Sequence, residues 1–357
     1  MEKLLIINPG STSTKIAVYD GENQLFVESI SHSAEEIAKY DALVDQFEFR
    51  KDLVLETMEK HGVTADDLTA VVARGGLLPP MEAGAYEVNE DMVWQLRYAP
   101  EHEHASNLGA LIAYAISSER GIPSYIYDGV TVDEMLPILK VTGLPEMRRK
   151  GMGHNLNMRA AAMRYAKENH KAYKDCTLIV VHLGGGISVS LHHDGKVADI
   201  INDEDGPFSP ERAGALPLFQ VIDMMTSGEY DHKSAMKRVK TKGGLVGHLG
   251  TNDSRDVEKM IADGDEHAKF IYDAMAMNVA RNIAREAPVV NGKVEAIILT
   301  GGIAYSEMFT NMIKERVEFI APVIIYPGEN EMQSLALGGL RVLRGEEEAK
   351  VFKKVVK

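Results

Sequence analysis

Residues 4–21 read LLIINPGSTSTKIAVYDG, and this stretch decides the fold. The apolar run Leu4–Ile7 predicts a buried strand, residues 8–14 predict a polar turn, and Lys15–Tyr19 predicts a second strand that ends at Asp20-Gly21. Small residues with free φ let backbone N–H groups come close to phosphate oxygens. The stretch therefore predicts a β-hairpin whose loop has the size of a phosphate group.

Residues 179–195 read IVVHLGGGISVSLHHDG and follow the same plan. A shift of 174 residues relates Ile6 to Val180 and also relates Asp20 to Asp194, so the two hairpins are expected to superpose without a gap. Because glycine or serine loops recur in register, we infer an internal duplication into two similar domains.

The composition is that of an ordinary folded protein. The chain has 357 residues, of which 45% are hydrophobic and 26% are charged. At roughly 150 residues per domain, this length predicts two domains or one large α/β unit. These values exclude a disordered chain, a collagenous chain and a small disulfide-stapled scaffold.

The charge and the cysteine content limit the partners and the compartment. The net charge of −14 repels nucleic acid and anionic membranes, so neither is expected as a partner. The single cysteine, Cys176, cannot form an internal disulfide and is expected to be a buried apolar residue. No apolar stretch has the ~18 residues of a membrane span, and no signal-like segment opens the chain. We therefore expect a cytoplasmic protein.

Helical and strand patterns alternate along the chain. Ser33–Glu36 has the form of a capping box, and apolar residues from Ile37 to Val54 recur at helical spacing until Gly62. We expect further helices near 108–116, 155–170 and 268–286 and from about Glu331, and further strands at 125–127, 294–299 and 323–326. This alternation predicts α/β domains with central mixed sheets.

The domain boundary is expected in the stretch 143–153, which is rich in Pro, Gly and Arg. The first domain would then be residues 1–150, with the helix in 331–357 packing on it, and the second would be residues 151–330.

The two loops match neither the P-loop nor the dinucleotide-binding glycine pattern, and either loop alone could be a tight hairpin turn. The two loops at duplicated positions, together with Thr300-Gly301-Gly302 at a strand end, resemble the actin, sugar kinase and Hsp70 superfamily. The resemblance implies an α/β fold of two duplicated actin-like ATPase (ribonuclease H-like) domains, with central mixed sheets and a cleft between the domains.

Within that superfamily, the sequence is similar to the acetate and butyrate kinase family over nearly its whole length. The matching segments are Ile7–Lys15, Ala99–His102, Ala105–Leu108, Tyr127-Asp128, His154, His182–Gly186, Pro210–Arg212, Asp253–Asp256 and Thr300–Ile303. The resemblance implies a kinase that transfers the γ-phosphoryl group of ATP to a short-chain carboxylate, reversibly giving an acyl phosphate and ADP.

Two positions depart from the acetate kinase pattern. Acetate kinases carry two bulky apolar residues after the first active-site arginine, whereas Arg74 is followed by Gly75-Gly76. The position before the active-site histidine is aromatic in acetate kinases and is Gly153 here. We interpret the smaller residues as a deeper acyl pocket, and the chain as most similar to butyrate kinases. Acetate, propionate and branched acids such as isobutyrate are the alternative substrates.

The resemblance assigns roles residue by residue. The expected catalytic residues are Arg74, Asp128, His154 and Arg212. The expected substrate pocket contains Arg74, Gly76 and Gly153. The expected nucleotide-binding residues are Asn8, Ser11, Ser13, Lys15, His182, Gly184, Gly185, Gly186, Asp253, Ser254, Arg255, Gly301, Gly302 and Ile303. Mg²⁺ is expected near Asn8 and Glu331, with Glu329 as the alternative to Glu331, and a homodimer is expected.

A carboxylate is already ionised near pH 7, so the reaction needs positioning and charge neutralisation rather than a general base. By residue type alone, Arg74 and Arg212 could be surface ion pairs, His154 could be structural, and Lys15 could face solvent. The spacing in Glu101–His104 and in His192-His193 does not fit a zinc site. An Hsp70-like nucleotide switch and a sugar kinase are the competing functions.

Overall fold

The computed structural model describes residues 2–355. Contacts within the chain divide it into two units. One unit contains the residues up to Asp133 together with the segment from Asn330 onward, and the other unit is Glu134–Glu329.

The described residues form twelve β-strands. They are β1 Lys3–Pro9, β2 Ser13–Asp20, β3 Asn23–Ser31, β4 Ala70–Arg74, β5 Ala85–Glu87, β6 Ser124–Tyr127, β7 Leu178–Leu183, β8 Ile187–His193, β9 Lys196–Ile201, β10 Ala296–Gly301, β11 Val323–Pro327 and β12 Lys350–Val351.

Twelve α-helices also lie within residues 2–355. They are α1 Ala34–Ile37, α2 Phe47–Lys60, α3 Glu90–Tyr98, α4 Asn107–Ser118, α5 Asn155–Glu168, α6 Leu218–Thr226, α7 His232–Thr241, α8 Gly244–Leu249, α9 Ser254–Ala262, α10 Glu266–Glu286, α11 Glu307–Val317 and α12 Glu331–Leu343. Short 3₁₀ turns occupy Leu43–Gln46, Ala65–Asp67, Pro137–Lys140, Tyr173–Asp175, Ala287–Val290 and Gly302–Tyr305.

The sheet of the first unit has the strand order β12-β5-β6-β4-β1-β2-β3. Strands β1, β2 and β3 are antiparallel, whereas β4 runs parallel to β1 and β6 runs parallel to β4. Helix α12 packs very closely on this sheet: a Cβ atom on Gly338 would come 2.5 Å from the Tyr127 ring, and one on Gly339 would come 2.5 Å from Val72. The two glycines therefore allow helix and sheet to touch.

The sheet of the second unit has the order β11-β10-β7-β8-β9, with β7, β8 and β9 antiparallel and β10 and β11 parallel to β7. Five strands of the first sheet, β6-β4-β1-β2-β3, have the same order and directions. The mixed α/β sheets expected from the sequence are confirmed, and the internal duplication is visible in their topology.

The sequence suggested that the two hairpins superpose without a gap, but the structure shows loops of different length. The strand pairing leaves residues 10–13 between the paired ends of the first hairpin and only residues 184–186 in the second. The first strands are related by the expected 174 residues, but the second strands are related by 173, which puts Ile16 and Val189 in equivalent core positions. The prediction of equal loops was wrong because the glycine triplet turns the chain in one residue fewer.

The helical spacing between Ile37 and Val54 does not correspond to one helix. The capping box is present, since the Glu36 N–H donates to the Ser33 hydroxyl at 3.2 Å, but α1 ends at Ile37. The next helical segment begins after Ala42, whose N–H donates to the Asp45 carboxylate at 3.1 Å. This side-chain contact begins a 3₁₀ turn that leads into α2 and divides the expected helix.

The division between the units falls earlier in the chain than the boundary expected from composition. Residues 134–150 pack with the second unit: the Leu136 N–H donates to the Ala198 carbonyl at 2.9 Å, and Arg149 contacts Asp199 at 3.0 Å and Asp205 at 2.7 Å. Ion pairs between residues distant in the sequence therefore bind this segment to β9.

Glu286 is a buried acidic residue in the second unit, and its ionisation is expected to affect stability. The side chain is fully buried, and neither carboxylate oxygen has a hydrogen-bond partner among residues 2–355. Burial, and secondarily the charge of Asp199, raise the pKa of Glu286 well above its usual value. Because its pKa is raised, the folded state binds the proton of Glu286 more tightly than the unfolded chain does. The resulting contribution to stability is fully present below pH 4.5, the pKa in the unfolded chain, and is lost as pH rises through the pKa in the folded protein.

We therefore expect Glu286→Gln to be more stable than the wild type at pH 8, by about 1–3 kcal/mol, and the difference to shrink as pH falls to about 5. Thermal unfolding across this pH range measures it, with the exposed Glu318→Gln as the matched control. Parallel stability–pH curves for Glu286→Gln and the wild type would contradict the assignment.

Candidate functional site

In the first unit, Glu331 joins two of the predicted site residues. The Asn8 side-chain amide donates to Glu331 Oε2 at 2.6 Å, and Arg74 Nη1 lies 2.9 Å from Glu331 Oε1. Asn8 lies near the end of β1, Arg74 ends the neighbouring parallel strand β4, and Glu331 begins α12. The carboxyl ends of parallel strands meet at one sheet edge, which is where such folds bind ligands.

Asp128 follows β6 at the same sheet edge. Its backbone has a φ of 43°, which is uncommon outside glycine, and its side chain is only 4% exposed. The carboxylate Oδ1 accepts a hydrogen bond from the Gly84 N–H at 2.7 Å. A backbone conformation of this kind costs of order 1–3 kcal/mol and often occurs at functional sites.

The first hairpin presents its polar side chains outward. Ser11 and Lys15 are exposed and Ser13 is half-buried, and Lys15 pairs across the hairpin with Asn8. Ser11, Ser13 and Lys15 therefore lie on a part of the surface that a ligand can reach.

Two residues near these groups escaped sequence reasoning. Burial, and then the charge of Arg74, lower the pKa of His104, whose Nδ1 lies 2.8 Å from the Ser106 hydroxyl. Arg50 is fully buried behind the first loop. For His104, its position between the two matched family segments Ala99–His102 and Ala105–Leu108 was a signal that could have been used; Arg50 had none.

In the second unit, two predicted histidines stack on each other. The rings of His154 and His182 are 3.9 Å apart between centroids and 9° from parallel. His154 Nδ1 lies 3.0 Å from the Ser188 hydroxyl, and His182 Nδ1 donates to the Asn157 side-chain oxygen at 3.0 Å. His182 Nε2 lies 3.1 Å from Glu329 Oε1. These contacts fix the orientation of both rings.

The glycine loop of this unit lies against the same groups. A Cβ atom on Gly184 would come 2.7 Å from His182 Nε2, and one on Gly186 would come 2.6 Å from Arg212 Nη1. Arg212 also forms an ion pair with Asp203 at 3.3 Å. The loop needs glycine because the histidine and the guanidinium occupy the space of a side chain.

The segment that holds Arg212 is fastened to the loop. The Ser209 hydroxyl donates to the Gly185 carbonyl at 2.7 Å and accepts from the Arg212 N–H at 3.2 Å. Gly185 itself has more room, since its Cβ atom would come no closer than 3.7 Å to the Glu211 carboxylate. The Ser209 hydroxyl therefore links the glycine loop to the backbone of Arg212.

Asp253 caps the start of α9, and Ser254 is the first residue of that helix. The Arg255 guanidinium, 90% exposed, donates to the Asp253 carboxylate at 2.6–3.1 Å. These hydrogen bonds lower the pKa of Asp253 to about 2. The predicted adenosine-flanking segment is thus an exposed, charged helix start.

The strand-end glycines have different environments. Gly301 has a φ of 93° and its Cβ position is filled by the Leu183 backbone, so this glycine is required by the fold. Gly302 has no protein atom within 4 Å of its Cβ position, whereas Ile303 is buried in the core. Of the three predicted positions, Gly302 is the one that leaves space for a ligand.

The resemblance assigns Gly302 to the nucleotide site, so Gly302→Ala is expected to leave the thermal stability unchanged and to raise KM for ATP several-fold. The reason is that the added methyl group would meet no protein atom but would meet a nucleotide bound there. Steady-state kinetics and thermal unfolding measure the two effects. Gly143→Ala, which also has no neighbour within 4 Å, is the matched control. Unchanged kinetics in Gly302→Ala would remove this residue from the nucleotide site.

The glycines expected to widen the acyl pocket do not adjoin open space. A Cβ atom on Gly76 would come within 2.7 Å of Asn107 and Leu96, and one on Gly153 would come 2.5 Å from Ile200 Cδ1. The space released by each glycine is filled by a neighbouring side chain. Neither glycine therefore leaves open space of its own, and the deeper acyl pocket stays a prediction.

Among residues 2–355, no group of three or more His, Cys, Asp or Glu side chains is arranged to hold a metal ion. Within the same residues, no helix is both long and apolar enough to cross a membrane.

Comparisons with known proteins agree with this architecture. Residues 145–321 match the model of the Acetokinase family. The structure is similar to an acetate kinase from Porphyromonas gingivalis, with a TM-score of 0.81 and 17% identity over 96% of this chain and 100% of that one. A propionate kinase from Francisella tularensis subsp. tularensis SCHU S4 gives a TM-score of 0.75 and 20% identity over 95% and 99%.

A ROK hexokinase from Thermus thermophilus is a more distant structural relative, with a TM-score of 0.51 and 14% identity over 96% and 99% of the two chains. The chain therefore has the actin-like ATPase fold that the sequence predicted. The match over residues 145–321 supports the acetokinase family and, with it, a carboxylate kinase that uses ATP and ADP.

Proposed function

We propose that this chain, whose residues 145–321 match the acetokinase family, transfers the γ-phosphoryl group of ATP to butyrate and reversibly gives butyryl phosphate and ADP. The contact of Arg74 with Glu331, which is itself held by Asn8, is the observation that carries the proposal. This contact brings a guanidinium, an amide and a carboxylate together at the carboxyl edge of the parallel strands, which supports the proposed roles of these residues.

A carboxylate oxygen attacks the γ-phosphorus, the bond from that phosphorus to the β-bridging oxygen breaks, and ADP leaves. The carboxylate is already ionised near pH 7, so no residue has to remove a proton. Arg74 and Arg212 supply planar donors that neutralise the transferred group. When the Ser188 hydroxyl donates to His154 Nδ1, the ring proton lies on Nε2 and can be donated to a phosphoryl oxygen.

The donor set fits Mg²⁺ rather than a transition metal. Mg²⁺ keeps several water molecules and takes one or two protein oxygens, and Glu331 and Asn8 offer one carboxylate and one amide oxygen. Glu331 is favoured over Glu329, because Glu329 contacts His182 whereas Glu331 contacts Asn8. Bound Mg²⁺ would supply positive charge to the phosphates of the nucleotide.

The family resemblance assigns the nucleotide to four groups of residues. The loop residues Ser11, Ser13 and Lys15 would hold the terminal phosphates, and residues 182–186 would hold the inner ones. Asp253–Arg255 and Gly302 would flank the adenosine. Asp128, through Gly84, would keep the backbone near Arg74 in place.

Butyrate as the preferred substrate rests on the sequence resemblance, and acetate, propionate and isobutyrate are the alternatives. One methylene group in an apolar pocket changes the barrier by about 1–3 kcal/mol, so neighbouring chain lengths should overlap. A homodimer and a cytoplasmic location are proposed on the same resemblance and on the composition.

Trapping of the acyl phosphate with hydroxylamine tests the function. With ATP and Mg²⁺, we expect acyl hydroxamate from butyrate and a lower kcat/KM for acetate. Acetate ranking above butyrate would overturn the substrate assignment. No hydroxamate from any C2–C5 carboxylate would overturn the kinase assignment.

A further inference from the structure

Arg50 is a fully buried cation of the first unit. It lies on α2, its side chain is fully buried, and the structure shows no carboxylate in ion-pair contact with it among residues 2–355. Burial lowers the pKa of Arg50 below the usual value of a guanidinium, but the group remains charged at physiological pH. An unpaired buried charge is expensive, so its hydrogen bonds must be unusually complete.

Those hydrogen bonds converge on the first hairpin loop. Arg50 Nη1 donates to the carbonyl of Gly10 at 2.7 Å and to that of Ser13 at 3.2 Å, and Nη2 donates to the carbonyl of Ser11 at 3.0 Å. The Gln46 side-chain oxygen accepts from both Nε and Nη2, at 3.1 and 2.8 Å, and so orients the guanidinium.

The fourth carbonyl of the loop, that of Thr12, accepts a hydrogen bond at 2.8 Å from the N–H of His32, the residue after β3. All four carbonyls of residues 10–13 are therefore occupied by donors from within the unit. In a trans peptide, the carbonyl of one residue and the N–H of the next point in opposite directions. The N–H groups of Ser11 and Thr12 are consequently directed away from Arg50.

This arrangement has the two properties of an anion-binding loop. Backbone N–H groups point away from the core, beside the exposed side chains of Ser11 and Thr12. A positive charge lies directly behind them in a medium of low dielectric constant, where it is less screened than a surface charge. A lysine could supply the charge, but its ammonium could not reproduce the planar fork that spans three carbonyls.

We propose that Arg50 is a positioning residue for the terminal phosphates of the nucleotide: its guanidinium gathers the carbonyls of Gly10, Ser11 and Ser13 and so fixes the loop in its phosphate-binding form. This inference rests on the proposed function, which assigns phosphate to that loop. Arg50 touches neither substrate nor reacting atoms; it acts through the loop.

The test compares the affinities of the full-length protein for ATP and for adenosine by calorimetry, in wild type, Arg50→Met and Arg50→Lys. We expect Arg50→Met to lose at least tenfold in ATP affinity while adenosine affinity stays within twofold, and Arg50→Lys to show a smaller loss of the same kind. The control is Met58→Ala, which truncates another buried residue of the same helix, one that belongs to the hydrophobic core. It should lower thermal stability without changing the ratio of the two affinities.

An unchanged ratio in folded Arg50→Met would overturn the inference. If that variant does not fold, Arg50→Lys decides, because it keeps the charge and removes the fork, so an unchanged ratio there overturns the positioning role. Wild-type protein that forms no acyl hydroxamate, with Arg50→Met still losing ATP affinity, would refute the carboxylate kinase but support Arg50. If the wild type forms hydroxamate but Arg50→Met keeps the wild-type ratio of ATP to adenosine affinity, the carboxylate kinase is supported and the role of Arg50 is refuted.

Discussion

Arg74→Ala is expected to lower kcat for phosphoryl transfer about 10²–10³-fold while leaving ADP affinity within twofold. The side chain is partly exposed and held by Glu331 at 2.9 Å, so it is preorganised and can reach a ligand. Removing one fixed donor of this kind costs roughly 3–4 kcal/mol of transition-state stabilisation. The fold should be unaffected, because the arginine ends its strand at the sheet edge.

Arg120→Ala is the matched control for this prediction. Arg120 lies in the same unit with a similar exposure, and it pairs with the surface carboxylates Asp66 and Glu119. Its removal should change neither kcat nor KM. A nucleotide-dependent switch would not need Arg74 to hydrolyse ATP. If Arg74→Ala turned over ATP at the wild-type rate, the result would favour that alternative over the carboxylate kinase.

Gly186→Ala is expected to lower kcat/KM about 100-fold with little loss of thermal stability. The new methyl group would come within 2.6–3.1 Å of three atoms of the Arg212 guanidinium. The guanidinium ends a flexible side chain, so it can move aside and the backbone can keep its conformation. The substitution would therefore displace the Arg212 guanidinium and slow catalysis, with little effect on folding.

A double-mutant cycle checks that Gly186 acts through Arg212. Once Arg212 is alanine, the added methyl group has nothing to displace, so Gly186→Ala should cost little more in that background. Gly143→Ala, at a position without close neighbours, should behave like the wild type. Independent, multiplicative losses in the double variant would contradict the steric explanation.

The sequence predicted those features that depend on local pattern. Buried apolar runs marked β1, β7 and β10, and glycine or serine loops marked the hairpins, because strands and tight turns leave a signal within a few residues. The family resemblance also selected Asn8, Arg74 and Glu331, which the structure brings into contact.

Features that depend on long-range packing could not be predicted. Leu96 and Asn107 fill the space beside Gly76, and Ile200 fills the space beside Gly153, so a small residue in the sequence did not mean open space beside it. Arg50 lies in a helical segment where an arginine usually faces solvent. Its burial follows from the position of the hairpin loop some forty residues earlier in the chain.

The direct attack of a carboxylate oxygen on phosphorus is the central claim, and an isotope measurement tests it. Butyrate labelled with ¹⁸O in both carboxylate oxygens is incubated with ATP, Mg²⁺ and hydroxylamine, and the released phosphate is analysed by mass spectrometry. Hydroxylamine attacks the acyl carbon and expels the phosphate with the bridging oxygen, so we predict one ¹⁸O atom per phosphate formed with hydroxamate. Phosphate that carries no ¹⁸O would contradict direct transfer.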